Sequence, residues 1–282
     1  YYQSKNIIAE DYNSFEKYDL VYISKIFDFT SEYPIYINSP KIIKGGSGYD
    51  ISSRLPYEIE KMKPKINYGF ITRGCIRNCE FCIVPRKEGK IYLESDNLFY
   101  DFWDKKSKEI IIMDNNILAM PQIFFNVCKE LKKNKLKVDF NQGLDFRLLT
   151  DDICNELKSI KHKKYHFAFD DIAYKNKIIE SINLLKKYDI KQNTWYIYCS
   201  EKNIFQDCLE RANILKLNNQ NGFIQRDINI YYDKRYIALA RWVNFHSWFQ
   251  KISFFQFIKD LRNNYFKYFS KEEQKYIKDN QI

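Results

Sequence analysis

Histidine is scarce in this chain of 282 residues, which holds only His162, His166 and His246. A structural zinc site takes four protein ligands, usually Cys and His at C-x2-4-C and H-x3-5-H spacings. His162 and His166 stand four apart, but in a lysine-rich turn running into a strand, so a Cys–His zinc site lacks its usual second half. Long apolar runs are also missing. No stretch of eighteen or more apolar residues occurs, so no membrane span is expected. No secretory signal pattern is read, and the seven cysteines are odd in number. Both features favour a reducing cytosol over a disulfide framework. Tyr1, in place of methionine, is expected to follow an upstream segment.

Charge is present in excess of one sign, with 46 Lys and Arg against 36 Asp and Glu, a formal net of +10. Such a balance can serve phosphate binding. Here the lysines are spread over many helix faces, whereas a nucleic-acid footprint is a concentrated stripe. Solvated surface is therefore favoured over a nucleic-acid partner.

The most informative stretch is Tyr68-Gly-Phe-Ile-Thr-Arg-Gly-Cys75-Ile-Arg-Asn-Cys79-Glu-Phe-Cys82, an apolar run that empties into three cysteines spaced C-x3-C-x2-C. Three thiolates from one loop can hold three irons of a [4Fe-4S] cubane, where an ordinary electron-transfer cluster takes four. The fourth iron is then open to substrate. Cys128, Cys154, Cys199 and Cys208 lie in apolar patterns and are expected in the core.

This spacing, with Phe81 directly before Cys82, resembles the signature of the radical S-adenosylmethionine (radical SAM) superfamily. The resemblance implies that Cys75, Cys79 and Cys82 ligate a [4Fe-4S] cluster whose open iron chelates S-adenosylmethionine. An electron, from a donor such as flavodoxin or ferredoxin, would then cleave the sulfonium to a 5'-deoxyadenosyl radical. It implies that Phe81 packs near cluster and adenine. Ile83-Val84-Pro85 followed by Gly89 is similar to the methylthiotransferase branch, so modification of tRNA or another nucleic acid is a rival reading. A non-enzymatic, zinc-stabilised α/β module is another.

From residue 66, short apolar strands alternate with helical periods, the pattern of βα units and a parallel sheet. Strands are expected at Ile66–Ile71, Glu109–Met113, Lys137–Gln142, Lys164–Phe169, Thr194–Cys199 and Gly222–Ile230. Six strands make a partial (β/α)6 TIM-like barrel over 66–230. Thr150 before Asp151 and Asp152 predicts a helix start. Reactive groups in parallel barrels sit at the carboxyl ends of strands. That rule selects Asp114, Asn115, Asn116, Asn141, Gln142, Asp145, Arg147, Asp170, Asp171 and Ser200, although polar residues there also serve as loop caps. By the resemblance, Asn115 stands where a Gly-Gly-Glu-like motif holds the methionine amino group. Gln142 and Arg147 join the cofactor ring, Arg147 for the methionine carboxylate. Asp170 is expected at the ribose.

Residues 1–65 show strand-like runs at Asp19–Ile23 and Tyr33–Ile37, then Lys41-Ile-Ile-Lys-Gly45-Gly46-Ser47-Gly48. The segment resembles the end of the doubly wound, Rossmann-like cobalamin-binding-type domain of one branch. Its D-x-H-x-x-G pattern is absent, so cobalamin is unsupported, and the glycines read as a turn. Pro56 with 61–65 reads as a linker. Residues 231–282 are helical and aromatic, with Trp242, Phe245, Trp248, Phe249, Phe254, Phe255 and Phe257 close together. Base stacking is conceivable there, but a packed helical lid is the expectation.

Overall fold

A computed structural model of the chain describes residues 8, 10–31, 36–60, 62, 64–260 and 262–280. Near the N-terminus, β1 (Val21–Ser24) and β2 (Ile42–Gly45) form a parallel two-stranded pair, followed by the short helix α1 (Tyr57–Glu60). Of the strand expected at Tyr33–Ile37, residues 33–35 lie outside the described residues, and 36–37 carry no strand.

The run expected as one strand over Ile66–Ile71 divides. Its first part is β3 (Tyr68–Gly69), and its continuation is β4 (Thr72–Arg73). The cause is Asp114, whose buried carboxylate accepts from Ile71 N at 2.7 Å, Thr72 N at 2.8 Å and Thr72 Oγ1 at 2.7 Å. Those donors are lost to a sheet ladder, and the chain leaves the sheet. After α2 (Val84–Lys87), β4 pairs antiparallel with β5 (Tyr92–Leu93), so the cysteine segment is the loop of a small ribbon. Gly74 closes its neck at φ +76°, where a Cβ would run into the Lys90 carbonyl.

Then follow β6 (Glu109–Ile112), α3 (Pro121–Lys133), β7 (Lys137–Phe140), α4 (Asp151–Ser159), β8 (Lys161–His162), β9 (His166–Ala168), α5 (Lys175–Lys187), β10 (Thr194–Cys199), α6 (Phe205–Leu217) and β11 (Asn221–Arg226). The strands form two all-parallel sheets, ordered β3-β6-β7-β8 and β11-β10-β9. Residues 161–168 join them: Lys163 N donates to Val138 O on one side, and Tyr165 O accepts from Thr194 N on the other. The chain is thus mixed α/β with parallel sheets, as expected. Period-two alternation sets the faces, with Val138, Phe140, Phe167, Trp195, Ile197 and Ile224 buried under the helices. Thr150 Oγ1 accepts from Ile153 N at 3.3 Å, the expected cap of α4. The last strand stops at Arg226 rather than Ile230, because Asp227 accepts from Asn229 N at 2.9 Å and starts a 3-10 turn.

The C-terminal helices are α7 (Lys234–Asn244), α8 (His246–Lys251), α9 (Phe254–Lys259) and α10 (Lys271–Asp279). They cover the outer edge of β11, where Asn244 Oδ1 accepts from Ile224 N at 2.7 Å and satisfies an otherwise open strand donor. A Cβ on Gly222 would stand 2.5 Å from Val243 Cγ1, so only glycine admits α7 this close. Trp242, Phe249, Phe254 and Phe257 are buried as the packed-lid expectation requires, while Phe245 and Trp248 stay partly exposed. Among the described residues no helix is long and apolar enough to cross a membrane.

Candidate cofactor cleft at the strand ends

A cleft of about 680 Å³ opens at the carboxyl ends of the parallel strands. Cys79, Glu80 and Phe81 of the cysteine loop form one wall, together with Arg77. Facing them are Asp145 and Arg147 after β7, Asp170, Asp171 and Tyr174 after β9, Tyr198 and Lys202 at and after the end of β10, and Asp227 after β11. Lys202 forms an ion pair with Glu80 across the cleft mouth.

Three of these strand ends turn in the same way. Asp145, Asp171 and Asp227 each accept a backbone N–H two residues on and open a 3-10 turn. These aspartates are therefore loop caps, as polar strand-end residues commonly are. Asp170 is different: its Oδ1 accepts from Tyr198 N at 3.0 Å, and among the described residues no hydrogen bond is donated to Oδ2. Burial pushes its carboxyl up, against that N–H and the charges of Arg211 and Arg147.

Asp145 does more than cap. Its side chain is 4 % exposed and takes Arg147 Nε at 2.6 Å, Arg77 Nε at 2.8 Å and Asn116 Nδ2 at 3.2 Å. Burial would raise its pKa, yet the hydrogen bonds and charges of the two arginines outweigh it and hold the carboxyl below its ordinary range. For Arg147, burial alone would lower the pKa, but Asp145 holds the guanidinium above its usual value. Among the described residues Arg147 pairs with a carboxylate through Nε alone, and its guanidinium also lies against Tyr174, 5.5 Å from the ring centroid, which helps to hold it charged. Asp114, whose donors are all neutral, behaves oppositely: burial drives it up to about 6 despite three hydrogen bonds.

The loop sulfurs are free and half-buried. Arg77 N donates to Cys75 Sγ at 3.3 Å and Asn116 Nδ2 at 3.6 Å, contacts suited to a negatively charged sulfur. Burial pushes the Cys79 and Cys82 thiols up, Arg147 opposing it at Cys79. Among the described residues, no group of three or more His, Cys, Asp or Glu stands in metal-holding geometry. The three thiols are thus a donor set of the right kind for a three-cysteine cluster, not a formed centre. Phe81 stacks on Tyr198 with centroids 4.2 Å apart and planes 21° apart, while remaining 48 % exposed.

Of the residues selected from sequence, Cys79, Phe81, Asp145, Arg147, Asp170, Asp171 and Ser200 line the cleft, whereas Cys75 and Cys82 are not among its lining residues. Asn115 stands behind it, donating Nδ2 to Glu88 Oε2 at 2.7 Å. Glu88 also takes Gly74 N at 3.0 Å and Arg73 Nη1 at 2.9 Å, so Asn115 helps to close the neck of the cysteine loop. Gln142 is exposed and is not among the lining residues. Sequence reasoning missed Arg77, Glu88 and Tyr198. Tyr198 had a legible signal, since Tyr196 and Tyr198 fall on the face of β10 opposite Trp195 and Ile197. No protein-family model matches the chain, and no curated protein matches it either.

Proposed function

We propose that the chain is a radical SAM enzyme in which residues 66–230 are the partial (β/α)6 barrel and the cleft is the S-adenosylmethionine site. One observation carries this reading. Cys79 and Phe81 share a single cleft with Arg147 and Asp170, residues drawn from separate strand ends and selected from sequence for that cofactor. Charge supports it: six carboxylates and three cationic side chains line the cleft of a chain whose formal net is +10. S-adenosylmethionine carries a sulfonium, an ammonium and one carboxylate, a net cation that such a lining attracts. A polyphosphate is repelled by the same lining, which weighs against a nucleic acid entering the cleft.

Cys75, Cys79 and Cys82 would hold a [4Fe-4S] cluster, which when bound supplies the electron and open iron for reductive cleavage of the sulfonium. The remaining work belongs to the protein. Asp145 holds the guanidinium of Arg147 in place through Nε, so that a terminal nitrogen can pair with the methionine carboxylate. Asp170 offers Oδ2 to a ribose hydroxyl. The Phe81–Tyr198 stack shields the cleft from water on the loop side. An N-terminal Rossmann-like segment, a cytoplasmic location and a flavodoxin- or ferredoxin-type electron donor belong to the same proposal.

The test is anaerobic reconstitution with iron and sulfide, followed by reduction and assay for 5'-deoxyadenosine and methionine. Both products are expected, slowly, without added substrate. Reconstituted, reduced protein that binds S-adenosylmethionine yet releases neither product overturns the reading. Arg147→Ala should weaken cofactor binding by about 1.5–3 kcal/mol, the range for a charged hydrogen bond, with iron content unchanged.

A further inference from the structure

Dispersed along the sequence, the excess positive charge is gathered by the fold. Residues 104–109, 130–137, 156–164 and 186–193 hold 14 Lys against 5 Asp and Glu, so 31 residues carry nine of the ten net formal charges. The four segments lead into β6, β7, β8 with β9, and β10, all parallel strands, and so meet on the face where those strands begin. Contacts join them: Lys137 N donates to Lys108 O at 2.9 Å, Lys132 pairs with Glu156 at 2.7 Å and Lys158 with Asp189 at 2.9 Å. The cleft lies at the other ends of the strands, about 13 Å away along a strand such as β6 or β7.

Helix dipoles favour cations in last turns, which accounts for Lys132, Lys133 and Lys186. They do not account for Lys105, Lys106, Lys108, Lys135, Lys161 and Lys164, which stand outside the helices at the starts of β6, β7, β8 and β9. Among the described residues these six enter no ion pair. The carboxylates of the four segments are engaged elsewhere. Glu109, Glu130, Glu156 and Asp189 pair with other lysines, and Asp104 accepts from Asn67 Nδ2 and from the N–H groups of Lys106 and Ser107. Lys105 and Lys135 also hold left-handed backbone, at φ +62° and +56°, which favours glycine or asparagine. The corresponding turn after α6 has Asn219 at φ +57°.

We propose that this basic rim binds the phosphate backbone of a nucleic-acid duplex, as an anchor at the end of the molecule opposite the cleft. Charge complementarity selects a polyanion, and what the rim lacks selects which one. Its four segments contain no arginine, so the forks that most often read base edges are missing. They expose no large aromatic or aliphatic side chain, so nothing stacks on an unpaired base or inserts among lipid headgroups. Interfaces with other proteins are depleted in lysine. What remains is a line of point charges over four neighbouring strands, about 15 Å at strand spacing. Along that length a duplex presents about nine phosphates.

The inference needs no cofactor, so apoprotein serves for its test. Anisotropy titration of a labelled RNA or DNA duplex of about 20 base pairs should give log K falling linearly with log salt, at a slope near −4.5 for about five phosphates neutralised. Lys105→Gln, Lys106→Gln and Lys108→Gln together should weaken binding about tenfold or more at low salt and make the slope shallower by about one per lysine. Lys161→Gln with Lys164→Gln should act in the same direction from the neighbouring strands. Lys271→Gln, Lys275→Gln and Lys278→Gln together remove as much charge from exposed positions on α10 and should leave affinity and slope unchanged. An equal loss from the α10 variant means that net charge alone acts, and overturns the proposal. So does an absence of duplex binding at about 50 mM salt, or preferential binding of single-stranded RNA or of phosphatidylserine vesicles at equal phosphate concentration.

Discussion

The seven cysteines divide between two regions of opposite character. Cys75, Cys79 and Cys82 lie half-buried on a loop at the cleft, beside arginines and side-chain amides. Cys128, Cys154, Cys199 and Cys208 are fully buried in the layer where helices cover the sheets. In that layer burial drives Cys128 up to about 12 and Cys154 up to about 11, so both remain thiols. Cys208 differs from them in its surroundings, since the buried guanidinium of Arg211 donates to its sulfur at 3.1 Å. Sulfur chemistry here is decided by the nearest charge and by access to the surface, not by the residue type.

Four measurements would sharpen that contrast or break it. The largest effect is expected on iron. Cys79→Ala should bring bound iron after reconstitution to background, whereas Cys128→Ala should leave it at the wild-type level; equal iron in both would end the division. Next, alkylation of folded apoprotein at mildly basic pH, mapped by mass spectrometry, should label Cys75, Cys79 and Cys82 and spare Cys128 and Cys154 until denaturant is added. Early labelling of Cys128 would show that the sheet–helix layer opens readily.

The third measurement concerns the charged network beside the loop. Removing one partner of a fully buried ion pair costs about 3–5 kcal/mol. Arg77 and Arg147 have side chains 32 % and 25 % exposed, so solvent screens part of the loss. Asp145→Ala should therefore destabilise by about 2–3 kcal/mol, read by denaturant unfolding. Because the folded pKa of Asp145 is depressed, its contribution is present above the unfolded value and is lost as pH falls through the folded one. The gap between wild type and Asp145→Asn should thus shrink in acid below about pH 4. A gap that widens in acid would reverse the assigned sign. The smallest effect belongs to the packed side: Gly222→Ala pushes a methyl toward Val243 and should cost about 1–3 kcal/mol with cluster content unaltered.

Much of the scaffold is legible in the order of residues. Thr194–Cys199 is a strand with the expected bounds, Glu109–Met113 and Lys137–Gln142 end within two residues of expectation, and Thr150 caps its helix. Two of the misread strand ends share one cause, a side chain that captures backbone donors. Asp114 takes the Ile71 and Thr72 N–H groups and breaks the first strand, and Asp227 ends the last one early. Apolar periodicity registers neither, because it weighs side-chain burial and not the destination of each N–H.

Cysteine spacing, strand alternation and helix caps are written within a few residues of one another, where covalent geometry brings the groups together, and they are readable in the chain alone. The cleft is another matter. Arg77 meets Asp145 across 68 residues of sequence, and Lys202 meets Glu80 across 122. The same is true of the clamp by which Arg211 gathers Phe169 O, 42 residues away. Such pairs exist only once long loops have closed against their entropy, so folding alone decides that a basic chain presents a cleft lined by more carboxylates than cations, and which carboxylate oxygen stays free there.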